Sequence, residues 1–143
     1  MTDLIAFAQA MGDETRWRIV QLIRDQALCV CEVAEILQMP QSSVSSHLQV
    51  IRKAGMLAHE RCEKWIYYRL LPEFRDVVIF MGNRFEASAA TNTKLSGDAK
   101  RSIKRLAKRE STCCPGPREL VGSPRKPKDK SAVNGRRAVG PKL

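Results

Sequence analysis

The chain has 143 residues, 43% hydrophobic and 28% charged, which is typical of one soluble globular domain with an extension. No run of 18 apolar residues occurs and the N-terminus lacks the features of a secretory signal, so we expect a cytoplasmic protein without a membrane partner. The net charge of +10 lies at one end, because residues 1–98 hold 11 Lys/Arg against 12 Asp/Glu, whereas residues 99–143 hold 14 against 3.

Helical periodicity is the main signal over the first 55 residues. Residues 4–11 predict a short apolar helix, and Asp13 is a good N-cap for the next one. A third helix is predicted over residues 31–38, and a fourth over residues 41–54 that stops at Gly55. The predicted inner face of the fourth helix consists of Val44, Leu48 and Ile51.

Residues 56–70 change to a β-rich, alternating pattern, which predicts a hairpin turning near Cys62 and Glu63. Pro72 then opens a fifth predicted helix over residues 72–90. This helix is apolar on more than one side, so it needs a second partner, for which another copy of the chain is the natural candidate. The residues predicted to mediate dimerisation are Phe74, Val77, Val78, Met81 and Phe85.

The last third of the chain has a different character. Residues 91–98 are predicted to be a linker, followed by a short basic amphipathic helix that ends before the Cys113-Cys114 pair. The remainder is rich in Pro, Gly and Lys and is expected to be disordered. We therefore predict a domain over 1–90, a linker and basic helix over 91–112, and a basic, partly disordered tail over 113–143. We expect the basic helix to pack on the fifth helix, and the tail to attract DNA phosphates without sequence preference.

A helix, a short turn, a second helix and a hairpin form the pattern of a winged helix-turn-helix, which is mainly α with a β-hairpin wing. The outer face of the second motif helix carries short Ser, Gln and His side chains, which let a backbone approach base edges in the major groove. A merely solvated helix would carry Lys and Glu in their place. The residues predicted to contact DNA are Gln41, Ser42, Ser43, Ser45, Ser46, His47, Arg52, Arg61 and Lys64.

The stretch ALCVCEVAEIL places Cys29 and Cys31 where the first motif helix begins. The chain has five cysteines (29, 31, 62, 113 and 114), an odd number that favours thiols, ligands or redox centres over a disulfide framework. Residues two apart on a helix point about 200° from each other. Both sulfurs can therefore hold one ion only if Cys29 lies at or before the N-cap, or if the first turn unwinds. A helix N-terminus is also expected to lower the thiol pKa and to supply the thiolate that binds soft metals.

The motifs LCVCEVAEIL, QSSVSSHLQVIRKAGML and KWIYYRL, in that order, resemble the ArsR-type arsenic-responsive repressors over residues 5–85. The resemblance implies a homodimeric winged-helix repressor that leaves operator DNA when a thiophilic metal or metalloid binds. The family's thiol motif is Cys-Val-Cys, in some members with a third cysteine three residues further on. Cys29 and Cys31 match it, Ala34 stands in the third position, and Glu63 stands in a wing turn that often contains glycine.

The resemblance thus predicts a metalloid-responsive repressor, not an enzyme, with As(III) or Sb(III) as inducer, operator DNA as partner and no organic cofactor. Two thiols leave a trivalent arsenic one ligand short. Cys113 or Cys114 can supply the third ligand by folding back or by crossing to a partner subunit, and a small thiol or solvent is another source. Cys62, at the predicted wing tip, is expected to be far from Cys29. The alternatives are a repressor of the same fold that senses oxidants or persulfide, and a thiol redox or metal-buffering protein.

Overall fold

The computed structural model of the chain describes residues 2–109 and 114–120. Within these residues the chain forms six helices and three strands. The helices are α1 Leu4–Met11, α2 Glu14–Ile23, α3 Val30–Leu37, α4 Gln41–Lys53, α5 Pro72–Arg84 and α6 Ala89–Ala107. The strands are β1 Leu28–Cys29, β2 Leu57–Cys62 and β3 Trp65–Leu70.

The helix boundaries follow local capping chemistry. The Asp13 carboxylate accepts a hydrogen bond from the Arg16 N–H at 3.0 Å, which confirms the predicted start of α2. Pro40 separates α3 from α4. Gly55 follows the end of α4 with a φ of +79°, a conformation that glycine adopts without steric cost.

The strands form one antiparallel sheet in the order β1-β3-β2. β2 and β3 make the predicted hairpin, in which Cys62 pairs with Trp65 across a turn formed by Glu63 and Lys64. Glu63 adopts a φ of 59°, the left-handed conformation that glycine would favour. In β1, Cys29 pairs with Tyr67 of β3, so the start of α3 is attached directly to the middle of that strand.

The main core lies beneath the two motif helices. Val44, Leu48 and Ile51 are buried there, which confirms the predicted inner face of α4. A second cluster of buried side chains lies beside the sheet and holds Ala27, Cys29, Cys62, Tyr67 and Cys114.

The region after α5 differs from the prediction. The helix predicted over 72–90 ends at Arg84, and the predicted linker over 91–98 is instead part of α6. Ser88 caps α6 by accepting a hydrogen bond from the Thr91 N–H. Buried Asp98 accepts two hydrogen bonds of 2.8 Å from Arg18 of α2. Small polar residues suggested a flexible segment, but this ion pair and packing on α2 and α3 hold it in a helix. The predicted packing of the basic helix on the fifth helix is therefore corrected to packing on α2 and α3.

The predicted dimerisation residues divide into two groups. Val78 is buried in the protomer's own core, Met81 packs against that core, and the Phe74 ring stacks on Phe7 of α1 with centroids 5.9 Å apart. The prediction of a contact with a partner is thus wrong for Val78, because its face of α5 already has a partner within the chain. Val77 and Phe85 are exposed. Three exposed apolar residues that the prediction did not include lie on α1 and α5: Leu4, Ile5 and Phe80.

The architecture is a winged helix-turn-helix: α3 and α4 are the two motif helices and β2–β3 is the wing. Across the described ranges, none of the helices combines the length and apolar character needed to cross a membrane.

Candidate metal centre and nucleic-acid interface

The sulfurs of Cys29 and Cys31 lie 3.3 Å apart. Cys29 is the N-cap of α3 and has extended backbone angles, while Cys31 lies in the first turn. The N-cap position of Cys29 is the first of the two geometries predicted to bring the sulfurs together. The other geometry, an unwound first turn of α3, is not the one observed.

A third sulfur completes a triangle with this pair. The Cys114 sulfur lies 3.1 Å from that of Cys31 and 3.6 Å from that of Cys29. Cys29 is 2% exposed and Cys114 is fully buried, whereas Cys31 is only half-buried. Cys114 therefore folds back onto its own chain, one of the arrangements expected from sequence, and Cys113 lies outside the described residues.

Cys62 lies next to the hairpin turn, as predicted, where it pairs with Trp65. However, it is buried, and it belongs to the same side-chain cluster as Cys29 and Cys114 although it was expected to be far from Cys29. It is nevertheless outside the group of three thiols whose ligand atoms all lie within 4.8 Å of one another. Cys114 and Leu120 pack in this cluster, and their position follows from the return of a distant segment, which the hairpin pattern alone does not reveal.

A buried ion pair between Glu32 and Arg109 lies next to the thiol cluster. The Glu32 side chain is inaccessible to solvent, and the Arg109 guanidinium donates to both of its oxygens at 2.7 and 2.9 Å. The Cys29 N–H donates to Glu32 as well, at 3.1 Å. Arg109 also donates to the Ala27 carbonyl at 2.6 Å, and its guanidinium lies 5.4 Å from the Tyr67 ring centroid. Arg109, just past the end of α6, thus contacts both Glu32 of α3 and Ala27, the residue before β1.

The segment that carries Cys114 is held on the sheet by hydrogen bonds. The Gly116 N–H donates to the Tyr67 hydroxyl oxygen at 2.7 Å. The backbone N–H groups of residues 118–120 donate to the Glu60 carboxylate of β2 at 2.7 to 2.8 Å. Burial alone would raise the pKa of Glu60, but these three donors stabilise the carboxylate and keep the pKa below its ordinary value. Sequence reasoning missed Glu60, Tyr67 and Arg109, because their partners lie far away along the chain.

The pKa of Cys29 is raised, not lowered as its place at a helix N-terminus suggested. Burial is the largest cause, and the nearby negative charge of Glu32 is the next. Burial outweighs the lowering of the Cys29 pKa that a helix N-terminus would cause, because this thiol is nearly inaccessible to water. Cys29 therefore rests as a neutral thiol, and binding of a metal ion must displace its proton.

The cluster has the chemistry of a soft-ion site. Among the residues that the structure describes, its three ligands are all sulfurs, without imidazole or carboxylate. Three convergent thiols match a trivalent, thiophilic metalloid or a soft metal ion better than a hard cation such as Mg²⁺ or Ca²⁺. Residue 34 of α3 is Ala, and the third sulfur comes instead from Cys114, 83 residues after Cys31.

The residues predicted to contact DNA lie along α4 and the wing. Gln41, Ser42, Ser46, Arg52, Arg61 and Lys64 are exposed, and Ser43, Ser45 and His47 are partly buried. The Ser46 hydroxyl donates to the Ser42 carbonyl within the helix at 3.1 Å. His47 Nδ1 lies 3.9 Å from the Asp13 carboxylate and 3.4 Å from an Arg16 nitrogen. This side of the His47 ring therefore faces the start of α2.

A winged helix-turn-helix with a thiol cluster at the start of its first motif helix defines a DNA-binding regulator with a site suited to a soft ion. Residues 13–58 match the family described as "Bacterial regulatory protein, arsR family". The arsenic resistance transcriptional regulator ArsR2 of Pseudomonas putida is 34% identical over 110 residues, which cover 74% of this chain and 93% of that protein. The chain belongs to this family of transcriptional regulators, which confirms the prediction that it is not an enzyme.

A second relative and a solved structure are also similar to the chain. The arsenic resistance transcriptional regulator ArsR1 of P. putida is 43% identical over 74 residues, which cover 51% of this chain and only 57% of that relative's length. Among solved structures, HlyU from Vibrio cholerae matches with a TM-score of 0.53 at 24% identity, covering 57% of this chain and 89% of HlyU. The latter likeness supports the fold.

Proposed function

We propose that the protein is a metalloid-responsive repressor, which binds operator DNA as a dimer and releases it when As(III) or Sb(III) binds Cys29, Cys31 and Cys114. The observation that carries this proposal is the triangle of sulfurs with edges of 3.1, 3.3 and 3.6 Å. The names of the arsenic resistance regulators among the relatives support arsenic as the inducer. Because operator DNA is the proposed partner, this activity is proposed to take place in the cytoplasm.

Operator recognition is proposed to use α4 in the major groove, with Arg61 and Lys64 of the wing on backbone phosphates. The exposed apolar side chains of α1, of α5 and of the residue that follows α5 are proposed to form the dimer interface, namely Leu4, Ile5, Val77, Phe80 and Phe85. A two-fold dimer predicts an operator with inverted-repeat half-sites.

The coupling between metalloid and DNA is proposed to run through the elements that carry the three sulfurs. Cys31 lies on α3, which leads through a short turn into α4, and Cys29 pairs with Tyr67 of the wing. Cys114 belongs to the segment held by Glu60 of the wing. Bonds from one arsenic to all three sulfurs would fix the start of α3 against the wing. Operator affinity is then expected to fall about 10- to 100-fold, the range of ordinary allosteric coupling.

An operator mobility-shift titration with As(III) under full reduction tests the proposal. Wild-type protein and Cys62→Ser, which alters a buried thiol outside the triangle, should both release DNA. Cys29→Ser, Cys31→Ser and Cys114→Ser should bind DNA normally. They should also remain bound to DNA at As(III) concentrations at which the wild-type protein releases it. Unchanged release in all three variants would refute this site.

Oxidant sensing by the same fold is the second candidate. The Cys31 and Cys114 sulfurs are 3.1 Å apart, so a disulfide of about 2.05 Å needs a shift of about 1 Å. A protein that releases DNA with a thiol oxidant but not with As(III) under full reduction would favour this function over metalloid sensing.

A further inference from the structure

The thiol cluster opens into a groove with a volume of about 640 Å³. We call it the thiol groove. It runs between α4 and the wing, beside the start of α3, and the residues that line it include Cys29, Cys31, Gln49, Arg52, Lys64 and Trp65. Its walls therefore combine two of the three thiols with residues of the predicted DNA interface.

The thiol groove is the accessible side of the cluster. Cys114 does not line it and is fully buried, and Cys29 is almost fully buried. Cys31 lines it and is half-buried. An incoming metalloid that enters by this route therefore meets the Cys31 sulfur first.

The thiol groove is positively charged. Arg52 and Lys64 line it, and none of the described residues along it is Asp or Glu. The Arg52 side chain is exposed and makes neither a hydrogen bond nor an ion pair with another residue in the described ranges, and the Lys64 amine lies 5.2 Å from the Trp65 ring centroid. Two cations on a groove that no carboxylate of the described residues lines, next to polar Gln49, are complementary to a small ligand that carries carboxylates.

We propose that the thiol groove receives the metalloid as its complex with small carboxylate-bearing thiols, whose carboxylates are held by Arg52 and Lys64 while Cys31 displaces the first carrier thiol. This inference rests on the proposed function and names the form in which the inducer arrives. In a thiol-rich reducing compartment, a thiophilic metalloid exchanges its oxygen ligands for thiolates, and glutathione is the abundant carboxylated thiol there.

The transfer is a ligand exchange without oxidation or reduction. The Cys31 sulfur forms a bond to arsenic, one bond from arsenic to a carrier sulfur breaks, and the Cys31 thiol proton passes to the departing sulfur. Arsenic remains trivalent throughout. Cys29 and Cys114 then repeat the exchange, and three carrier thiols leave. Since Arg52 and Lys64 are also predicted DNA contacts, a carrier complex in the groove competes with DNA for them.

The test compares arsenic transfer to the full chain, free of DNA, from two preformed carriers. One is the tris-glutathione complex of As(III), which carries carboxylates, and the other is the uncharged tris-(2-mercaptoethanol) complex. The variants are Arg52→Gln and Lys64→Gln, with Lys53→Gln as the matched control, because Lys53 is an exposed neighbour that does not line the groove. Stopped-flow tryptophan fluorescence gives the rate, and native mass spectrometry confirms the bound arsenic.

We expect Arg52→Gln and Lys64→Gln each to slow transfer from the glutathione complex by about two- to fivefold, the worth of one exposed ion pair. Transfer from the mercaptoethanol complex should be unchanged, and Lys53→Gln should alter neither rate. Equal slowing with both carriers, no slowing with either, or slowing by Lys53→Gln of the same size would overturn the inference. Those results leave the proposed function standing if wild-type protein takes arsenic from either carrier, whereas failure of both carriers would overturn the two together.

Discussion

The buried pair of Glu32 and Arg109 gives the sharpest prediction about how the thiol cluster is held. Replacing Arg109 by Gln leaves a carboxylate that is inaccessible to solvent without its bidentate partner. Breaking a fully buried ion pair typically costs about 3–5 kcal/mol. The Arg109 side chain is 18% exposed, and an Arg105 nitrogen remains 3.8 Å from Glu32, so we expect about 2–3 kcal/mol of lost stability.

A double-mutant cycle with Arg109→Gln, Glu32→Gln and the double variant measures this coupling through urea unfolding followed by circular dichroism. Because each single change leaves the other partner unsatisfied, the double variant should be more stable than additive single effects predict, by at least about 1 kcal/mol. The same variants should expose Cys114 to alkylation, since Arg109 joins the end of α6 to the Cys29–Cys31 pair. Effects that add within about 0.5 kcal/mol would refute the view that this pair holds the site together.

Three further predictions concern the Cys114 segment, the ion and the dimer. Glu60→Gln weakens acceptance from three backbone N–H groups, so iodoacetamide should alkylate Cys114 several-fold faster, as measured by mass spectrometry, while no acceleration would contradict the role of Glu60. Burial raises the pKa of Cys29, so the thiol keeps its proton until a ligand displaces it. The apparent affinity for Cd²⁺ should therefore rise up to about tenfold per pH unit for each proton displaced. Neutral arsenous acid, by contrast, takes up the thiol protons as water and should bind almost independently of pH between about pH 6 and 8, which competition titrations can check. Phe80→Glu should shift the protein toward monomer in analytical ultracentrifugation. Ile103→Glu is the control, because Ile103 of α6 is also apolar and exposed, and this change should leave the dimer intact. A dimer unaffected by Phe80→Glu would refute the proposed interface.

Much of the fold could be predicted because its signals are local. Asp13 caps α2 through a neighbour three residues away, and Val44, Leu48 and Ile51 reveal their buried face by spacing alone. Helix geometry left two arrangements in which Cys29 and Cys31 can hold one ion, and the structure has the one with Cys29 at the N-cap.

The parts of the fold and of the site that the sequence did not predict depend on contacts between residues far apart in the chain. Residues 91–98 look like a linker, but Asp98 forms a buried ion pair with Arg18, 80 residues away, and the segment is helical. That helix carries Arg109 to Glu32, 77 residues away, and brings Cys114 to the thiol pair. No periodicity or motif encodes such pairs. The raised pKa of Cys29 escaped prediction for the same reason, because burial by distant parts of the chain outweighs the local effect of the helix terminus.

The central claim is that Cys29, Cys31 and Cys114 together bind the metalloid. Arsenic K-edge X-ray absorption of the As(III) complex, with a thiol-free reductant, tests it by counting the sulfurs around arsenic. The matched variants are Cys113→Ser and Cys114→Ser, which alter adjacent thiols. We predict three sulfurs in the wild type and in Cys113→Ser, and two sulfurs with one oxygen in Cys114→Ser. Three sulfurs retained in Cys114→Ser, or lost in Cys113→Ser, would contradict the account.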